Sequence, residues 1–153
     1  MRRFALAAAI AAVFTALSPR AAVAQTIGVR AGVSGDPTQF YAGVHVQAGP
    51  VFDHVWFRPN VEAGFGQDEV LVALNFELVW RNPIKKQPWT ILVGAGPSAV
   101  FITRDESGGS TTDAGGGFNI LLGVEHTKGF FSELKLGLID SPSIKFAVGY
   151  SFK

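Results

Sequence analysis

The chain has 153 residues, of which 48% are hydrophobic and 16% charged, with 18 glycines, 13 phenylalanines and no cysteine. This length supports one domain, and the low charge argues against a disordered tail or a charged coiled coil. The lack of cysteine excludes a disulfide scaffold, a thiol-ligated zinc site and an iron–sulfur centre, and the net charge of +1 gives no case for nucleic-acid binding.

Residues 1–24 have the pattern of a secretory signal peptide. A short basic start precedes an apolar run from Phe4 to Leu17, and Ala22-Val23-Ala24 supplies the small residues of a cleavage site. The apolar run is shorter than the roughly 20 residues that a transmembrane helix needs. We therefore expect cleavage after Ala24 and a mature β-barrel of residues 25–153. An N-terminal membrane anchor that stays attached is the alternative.

The rest of the chain has the two-residue periodicity of β-strands and not the 3.6-residue periodicity of helices. Turn residues bound each segment, as at Gly49-Pro50, Asn82-Pro83 and Gly108-Gly109. The pattern predicts eight strands, at about residues 26–34, 40–49, 55–66, 69–80, 89–103, 117–126, 130–139 and 144–152.

Each predicted strand has two different faces when its residues are sorted by parity. One face is apolar, carries rings such as Phe57, Trp80 and Phe146, and has no charged residue in any strand. The other face mixes glycines with balanced charge and with polar side chains. Its carboxylates are Glu62, Glu77, Glu125 and Glu133, its cations are Arg30, Arg58, Lys135 and Lys145, and its other polar members are His45, Gln47, Asn60, Asn75 and Asn119.

Three features favour a barrel that turns its apolar face towards lipid. An eight-stranded interior is only just wide enough for side chains, so the many rings of the apolar face would overfill it. Glycine weakens a solvent-exposed strand but makes room in a narrow lumen for long charged side chains. Aromatic residues also lie near strand ends, as expected for two interfacial girdles. The backbone of such a sheet has to close on itself in hydrocarbon.

Other residues run against this assignment. Pro59 and Pro97 interrupt the outer face, and each removes a donor from the sheet, so we expect a bulge or a local break at both. A soluble periplasmic barrel that carries an apolar ligand is therefore kept as an alternative. The apolar residues that parity places on the lumen face are Leu71, Ala73, Val79, Leu92, Val100 and Ile102.

The mature chain resembles the small eight-stranded outer-membrane barrels of Gram-negative bacteria, the OmpA/OmpX-like class. The local match is the last strand, Lys145 to Phe152, where a polar residue and Gly149 precede aromatic residues at alternate positions. The resemblance implies recognition by the barrel assembly machinery through this strand, a monomer embedded in outer-membrane lipids, and periplasmic termini. Loops 34–39, 66–69, 104–116 and 140–143 would face outward, and turns 50–54, 81–88 and 127–129 would face inward.

The sequence offers few candidates for chemistry. Ser132, His126 and either Glu125 or Glu133 would supply the ingredients of a hydrolytic triad, yet parity places Glu125 and His126 on opposite faces. His45 is interpreted as a hydrogen-bonded interior imidazole, and Asp53 with His54 is too small a set for a metal site. We predict no catalytic, cofactor-binding or metal-binding residue and no enzyme; an outer-membrane lipid-modifying enzyme is the alternative.

The charged lumen has a structural interpretation. Ion pairs such as Arg30 or Arg58 with Glu62 or Glu77 would plug a narrow barrel, so we predict no open ion-conducting pore. The function predicted on this basis is a structural or surface-interaction role in the outer membrane.

Overall fold

The computed structural model describes residues 24–36, 38–67, 69–106, 109–139 and 141–153, so the predicted signal peptide lies outside the described residues except for Ala24. Within these ranges no helix is long and apolar enough to cross a membrane. The strands are β1 (Ala24–Gly35), β2 (Gln39–Phe52), β3 (Val55–Phe65), β4 (Glu69–Pro83), β5 (Trp89–Glu106), β6 (Gly109–His126), β7 (Phe130–Ile139) and β8 (Ile144–Phe152).

The eight strands form one closed antiparallel barrel in chain order. Closure is made by β1 and β8, which pair from Ile27 opposite Phe152 to Gly35 opposite Ile144. This topology confirms the predicted eight-stranded barrel. The end that holds Lys153 and the start of β1 is called the terminus end below. The opposite end, from which the β5–β6 hairpin projects, is called the long-hairpin end.

The two faces of the wall are distributed as the parity analysis predicts. Every charged or polar residue assigned to the lumen is buried, including Lys135 and Glu77 at 0% exposure. The apolar face points outward, with Phe40 74% and Leu122 57% exposed. The interior holds charges and the exterior holds large hydrophobic residues, which is the opposite of the distribution expected for a soluble barrel that carries an apolar ligand.

Outward-facing rings gather at both ends of the barrel. At the terminus end the Tyr150 ring makes edge contacts with the Phe130 and Phe152 rings, at centroid distances of 5.0 and 5.1 Å. Trp89 makes a similar contact with His126 at 4.8 Å. These positions are those of an interfacial girdle at each end of a membrane-spanning wall. The rings nearer the long-hairpin end are Phe40, Phe65, Phe101 and Phe118.

The predicted loop 104–116 is wrong. Strands β5 and β6 continue well past the predicted ends, and they pair without a register shift from Trp89 opposite His126 to Glu106 opposite Gly109. Cross-strand contacts hold this extension, since the Thr103 and Thr112 hydroxyls are 3.0 Å apart and Arg104 donates to Asp113 at 3.0 Å. The segment lacks apolar alternation because water surrounds it, so the pattern used to find the other strands has no signal here.

Two predicted turns at the terminus end are also displaced. Gly49-Pro50 lies inside β2, which shifts register between Ala48 and Phe52, and the turn itself is Asp53-His54. Asn82-Pro83 lies inside β4, and the turn follows it. In each case proline occupies a strand near its end, where missing one ladder donor costs little.

The two outer-face prolines produce local breaks and no bulge. Pairing between β2 and β3 lapses opposite Pro59 and resumes in the same register, as it does between β4 and β5 opposite Pro97. Each proline keeps normal pairing on its other side. Each proline therefore removes a hydrogen bond from only one of its two strand pairings, because the N–H of a strand residue points to only one neighbouring strand.

Candidate functional site in the barrel interior

The barrel interior is divided between a charged wall and an apolar wall. Charged side chains come mainly from β1, β3, β7 and β8. The apolar side chains come from β4, β5 and β6, where Val79, Leu92 and Leu121 form one cluster. A second cluster, nearer the long-hairpin end, contains Leu71, Ala73 and Val100 with Ile102 against it. The apolar lumen residues found by parity therefore share one side of the bore.

Six buried side chains of alternating charge form a closed ring across the bore. Glu62 contacts Lys135 at 2.7 Å, and Lys135 contacts Glu77 at 2.7 Å. Arg58 contacts Glu77 at 3.2 Å on one side and Glu133 at 3.1 Å on the other. Arg30 closes the ring, 3.1 Å from Glu133 and 3.5 Å from Glu62. We call these six residues the ion-pair ring.

The ion-pair ring connects opposite walls of the barrel. Arg58 and Glu62 lie on β3, whereas Glu133 and Lys135 lie on β7, four strands away around the barrel. Parity predicted which residues face inward and that Arg30 and Arg58 would meet Glu62 and Glu77. It missed the central position of Glu133, because the stagger of the strands decides which inward side chains share a level.

A fourth cation and a fourth carboxylate depart from the balanced set. Lys145 attaches to the ring through Glu62 at 2.6 Å. Glu125 lies apart at the terminus end, where it contacts Arg81 at 3.0 Å and Lys153 at 2.7 Å. All four cations and all four carboxylates that parity assigns to the lumen are therefore buried there, and the central cluster contains the four cations and three of the carboxylates.

Two buried aromatic residues that the parity lists omitted pack against the charged cluster. The Phe131 ring lies 5.6 Å from the Arg30 guanidinium carbon, and the Tyr41 ring lies 5.7 Å from the Lys145 nitrogen. Such contacts between a cation and an aromatic face are favourable in a desolvated setting. The sequence could have identified both residues, because each has the parity of the lumen face and the residues next to it in the strand point outward.

A ladder of amide side chains crosses three strands beside the ring. Asn119 donates to Asn75 at 2.8 Å, and Asn75 donates to Asn60 at 2.8 Å. Near the long-hairpin end the Ser98 and Ser141 hydroxyls are 2.9 Å apart. These contacts pair buried polar groups between the charged wall and the apolar wall, although the Asn119 Oδ1 at the end of the ladder has no hydrogen-bond partner among the described residues.

His45 occupies the position that the sequence indicated. Its ring is buried, lies edge-on to Phe131 at 5.3 Å, and places Nε2 3.4 Å from the Ser151 hydroxyl. A Cβ on Gly28 would fall 2.2 Å from this ring, and a Cβ on Gly149 would fall 2.2 Å from the Phe131 ring. Glycine is required at both positions because an aromatic side chain occupies the space next to the backbone.

Each end of the lumen opens into a cavity. The terminus-end cavity has a volume of about 520 Å³ and is bordered by Gln47, Trp56, Arg81 and Lys153, with the Arg81 guanidinium 5.5 Å from the Trp56 ring centre. The long-hairpin cavity has a volume of about 300 Å³, and its lining includes Val100, Ile102, Arg104, Asp113, Ala114 and Gly115.

The three ingredients of the hydrolytic triad are separated by the wall. Glu125 is buried in the lumen and engaged by two cations, whereas His126 contacts Trp89 on the outside and accepts a hydrogen bond from the Lys128 amide at 3.1 Å. Ser132 lies between the buried Phe131 and Glu133 and therefore has outward parity. Asp53 and His54 are 3.6 Å apart in an exposed turn. Among the described residues no cluster of three potential metal ligands occurs.

No protein-family model matches the chain, and no curated protein is significantly similar to it. Among solved structures, the chain is similar to the N-terminal β-barrel domain of Pseudomonas aeruginosa OprF, at a TM-score of 0.62 and 14% identity over 84% of this chain and 96% of that domain. It is also similar to Neisserial surface protein A (NspA), at a TM-score of 0.64 and 12% identity, with the same coverage of 84% and 96%.

At these identities the likeness concerns the fold. The chain has the fold of small eight-stranded outer-membrane barrels, which confirms the structural part of the resemblance stated from the sequence.

Proposed function

We propose that this chain is a non-enzymatic outer-membrane barrel with a structural or surface-interaction role, whose lumen is closed to ions. The observation that carries the proposal is the ion-pair ring, which joins opposite walls through six buried side chains. Tyr41 and Phe131 fill space beside it, and an apolar wall lies along the other side. We expect a bore filled in this way to leave no continuous aqueous path.

The outward face supports placement in the outer membrane. Exposed apolar residues cover the wall between two groups of rings, and a signal peptide would carry the chain through the inner membrane. We propose outer-membrane lipids as its surroundings, delivery to the barrel assembly machinery through β8, and a monomeric state. The corresponding experiment is membrane fractionation followed by gel electrophoresis with and without heating, in which a folded barrel migrates differently from the heated chain.

Planar-bilayer recording tests the closed lumen. The purified barrel is expected to give no stable unitary conductance. A variant that removes two adjacent members of the ion-pair ring, Arg58→Ala with Glu133→Ala, should pass ions because both substitutions shorten side chains in the ring. Thr103→Ala with Thr112→Ala, outside the bore, should stay silent. Large, stable conductance from the unmodified barrel would overturn the proposal.

The alternative of a lipid-modifying enzyme is tested separately. Mass spectrometry of lipid A from cells with and without the protein should show no change. The separation of Glu125 from His126 by the barrel wall is the structural reason for this expectation.

A further inference from the structure

Two turns at the terminus end lie side by side and carry three lysines. The β4–β5 turn contains Lys85 and Lys86, and the β6–β7 turn contains Lys128. A backbone hydrogen bond joins the two turns, since the amide of Thr127 donates to the carbonyl of Pro88 at 2.8 Å. All three lysines are exposed, and none forms an ion pair within the described ranges of the chain. We call these three residues the lysine cluster.

The lysine cluster borders a row of outward side chains at the level of the girdle. Trp89 pairs with His126 between β5 and β6, so both side chains lie on the outer face, and their rings are 4.8 Å apart. After the β6–β7 turn the row continues with Phe130 and with its cross-strand partner Tyr150. On the other side it continues with Ile84, whose amide donates to the carbonyl of Trp89 at 2.9 Å. His126 is therefore a polar side chain within a row of rings and apolar groups.

The His126 ring is oriented so that one nitrogen remains available as a donor. Its Nδ1 accepts a hydrogen bond from the Lys128 amide at 3.1 Å, so the proton of the neutral imidazole is on Nε2. Neither this Nε2 nor the indole N–H of Trp89 has a hydrogen-bond partner among the residues that the structure describes. The outer face at this point therefore presents two uncharged donors beside three ammonium groups.

The other basic residues of the terminus end are engaged elsewhere. Arg81 and Lys153 both contact the buried Glu125, at 3.0 and 2.7 Å. The exposed Asp53 lies in the β2–β3 turn next to His54, and β3 is two strands away from β5 in the barrel. Within the described ranges, the lysine cluster is therefore a group of exposed cations without an acidic partner.

We propose that the lysine cluster, Trp89 and His126 bind the phosphate group of an anionic phospholipid in the leaflet that surrounds the terminus end. The phosphate oxygens accept hydrogen bonds from the ammonium groups, the imidazole Nε2–H and the indole N–H. Trp89 and Ile84 contact the start of the acyl chains, at the depth where the aromatic residues of membrane barrels lie. This inference rests on the proposed function, because the row of outward side chains has to meet a membrane surface.

The position of the donors favours a lipid over a soluble anion. A soluble ligand of similar chemistry is usually held in a concave site. The terminus-end cavity is bordered by Arg81 and Lys153, whereas the lysine cluster, Trp89 and His126 lie outside its lining. A phospholipid needs no cavity, because its acyl chains remain in the bilayer while nearby lysines attract the charged headgroup.

The test places the complete folded barrel in vesicles of zwitterionic phosphatidylcholine and adds phosphatidylglycerol as the anionic probe lipid. Trp56→Phe with Trp80→Phe leaves Trp89 as the one tryptophan of the chain. Bromine atoms on the acyl chains near the headgroup quench the fluorescence of an adjacent indole ring. Brominated phosphatidylglycerol should reach half-maximal quenching at a mole fraction at least about fivefold lower than brominated phosphatidylcholine, the effect of one lysine near an anionic surface.

Lys128→Gln and Lys153→Gln are a matched pair, because each removes one positive charge at the same end of the barrel. Lys128→Gln should weaken the preference for phosphatidylglycerol about fivefold. Lys153→Gln should change it less than about twofold, because Lys153 is held by Glu125 and distant exposed charges are screened. His126→Phe keeps a ring beside Trp89 but removes the Nε2 donor, and it should weaken the preference about tenfold. Heat-dependent gel migration verifies that each variant is folded.

Equal quenching by the two lipids would overturn the inference, and so would equal effects of Lys128→Gln and Lys153→Gln, since the charges would then act as a diffuse field. Excess inorganic phosphate should leave the quenching unchanged, and release of the lipid by phosphate would assign the donors to a soluble anion instead. If neither lipid quenches Trp89, the outer wall does not lie in the bilayer and the proposed function fails as well. The failure of the inference alone is therefore distinguishable from the failure of both.

Discussion

Glu133 shows how a single carboxylate organises the lumen. It accepts contacts from Arg30 on β1 and Arg58 on β3, and its own strand is β7. Its side chain has 0% exposure, so no water lies close enough to compensate the charge of the two guanidinium groups if the carboxylate is removed. A buried ion pair adds little net stability when intact, but removal of one partner leaves a charge without compensation. Substitution of Glu133 would therefore leave two buried cations without their shared counter-charge.

Glu133→Gln keeps the shape of the side chain and removes its charge. We expect the free energy of unfolding to fall by about 3–5 kcal/mol, because two buried guanidinium groups lose a shared counter-charge. Asp113→Asn is the control, since it breaks an exposed pair with Arg104 and should cost less than about 1 kcal/mol. Urea unfolding from lipid vesicles measures both. A loss below about 1 kcal/mol for Glu133→Gln would mean that water enters the ring.

At the scale of strands, the sequence was most informative where one face of the strand meets lipid and the other meets the lumen. β7 and β8 have the predicted boundaries, 130–139 and 144–152. The same reasoning failed for residues 109–116, because both faces of the projecting hairpin meet water and no alternation of polarity is required there. The contacts within the ion-pair ring could not be predicted from the sequence either. Parity shows which side chains point into the lumen, whereas the stagger of the strands decides which of them lie at the same height along the barrel axis.

The β5–β6 hairpin projects beyond the barrel, so shortening it should leave the barrel intact. Replacement of residues 105–110 by Asn-Gly would join Arg104 to Thr111, which already face each other, through a two-residue turn of favourable type. We expect the free energy of unfolding to change by less than about 1 kcal/mol, because the lost contacts are exposed. Heat-dependent gel migration and urea unfolding provide the measurement. A variant that no longer folds would show that the hairpin has a role in assembling the barrel.

The two ends of the barrel differ in charge, and an apolar outer surface lies between them. Acidic side chains predominate at the long-hairpin end. At the terminus end Arg81 and Lys153 border the cavity, and Lys85, Lys86 and Lys128 lie in nearby turns. Between the two ends the outer surface is apolar in every strand, and the charges are confined to the bore. The wall therefore separates two polar ends by a layer whose outer face requires hydrocarbon, and this requirement has a depth dependence that a soluble protein would lack.

Arginine placed on the outer wall measures that depth dependence directly. Leu122 lies near the middle of the part of β6 that pairs with both neighbouring strands, and Ile27 lies beside Phe152 at the terminus end, yet the two are almost equally exposed, at 57% and 59%. In a membrane, Leu122→Arg should lower the free energy of unfolding by about 2–4 kcal/mol, whereas Ile27→Arg should cost about 0–1 kcal/mol, because only the first puts a charge at the bilayer centre. Urea titration in vesicles gives both values. Equal costs would contradict a transmembrane wall, since two sites of equal exposure in water have no reason to differ.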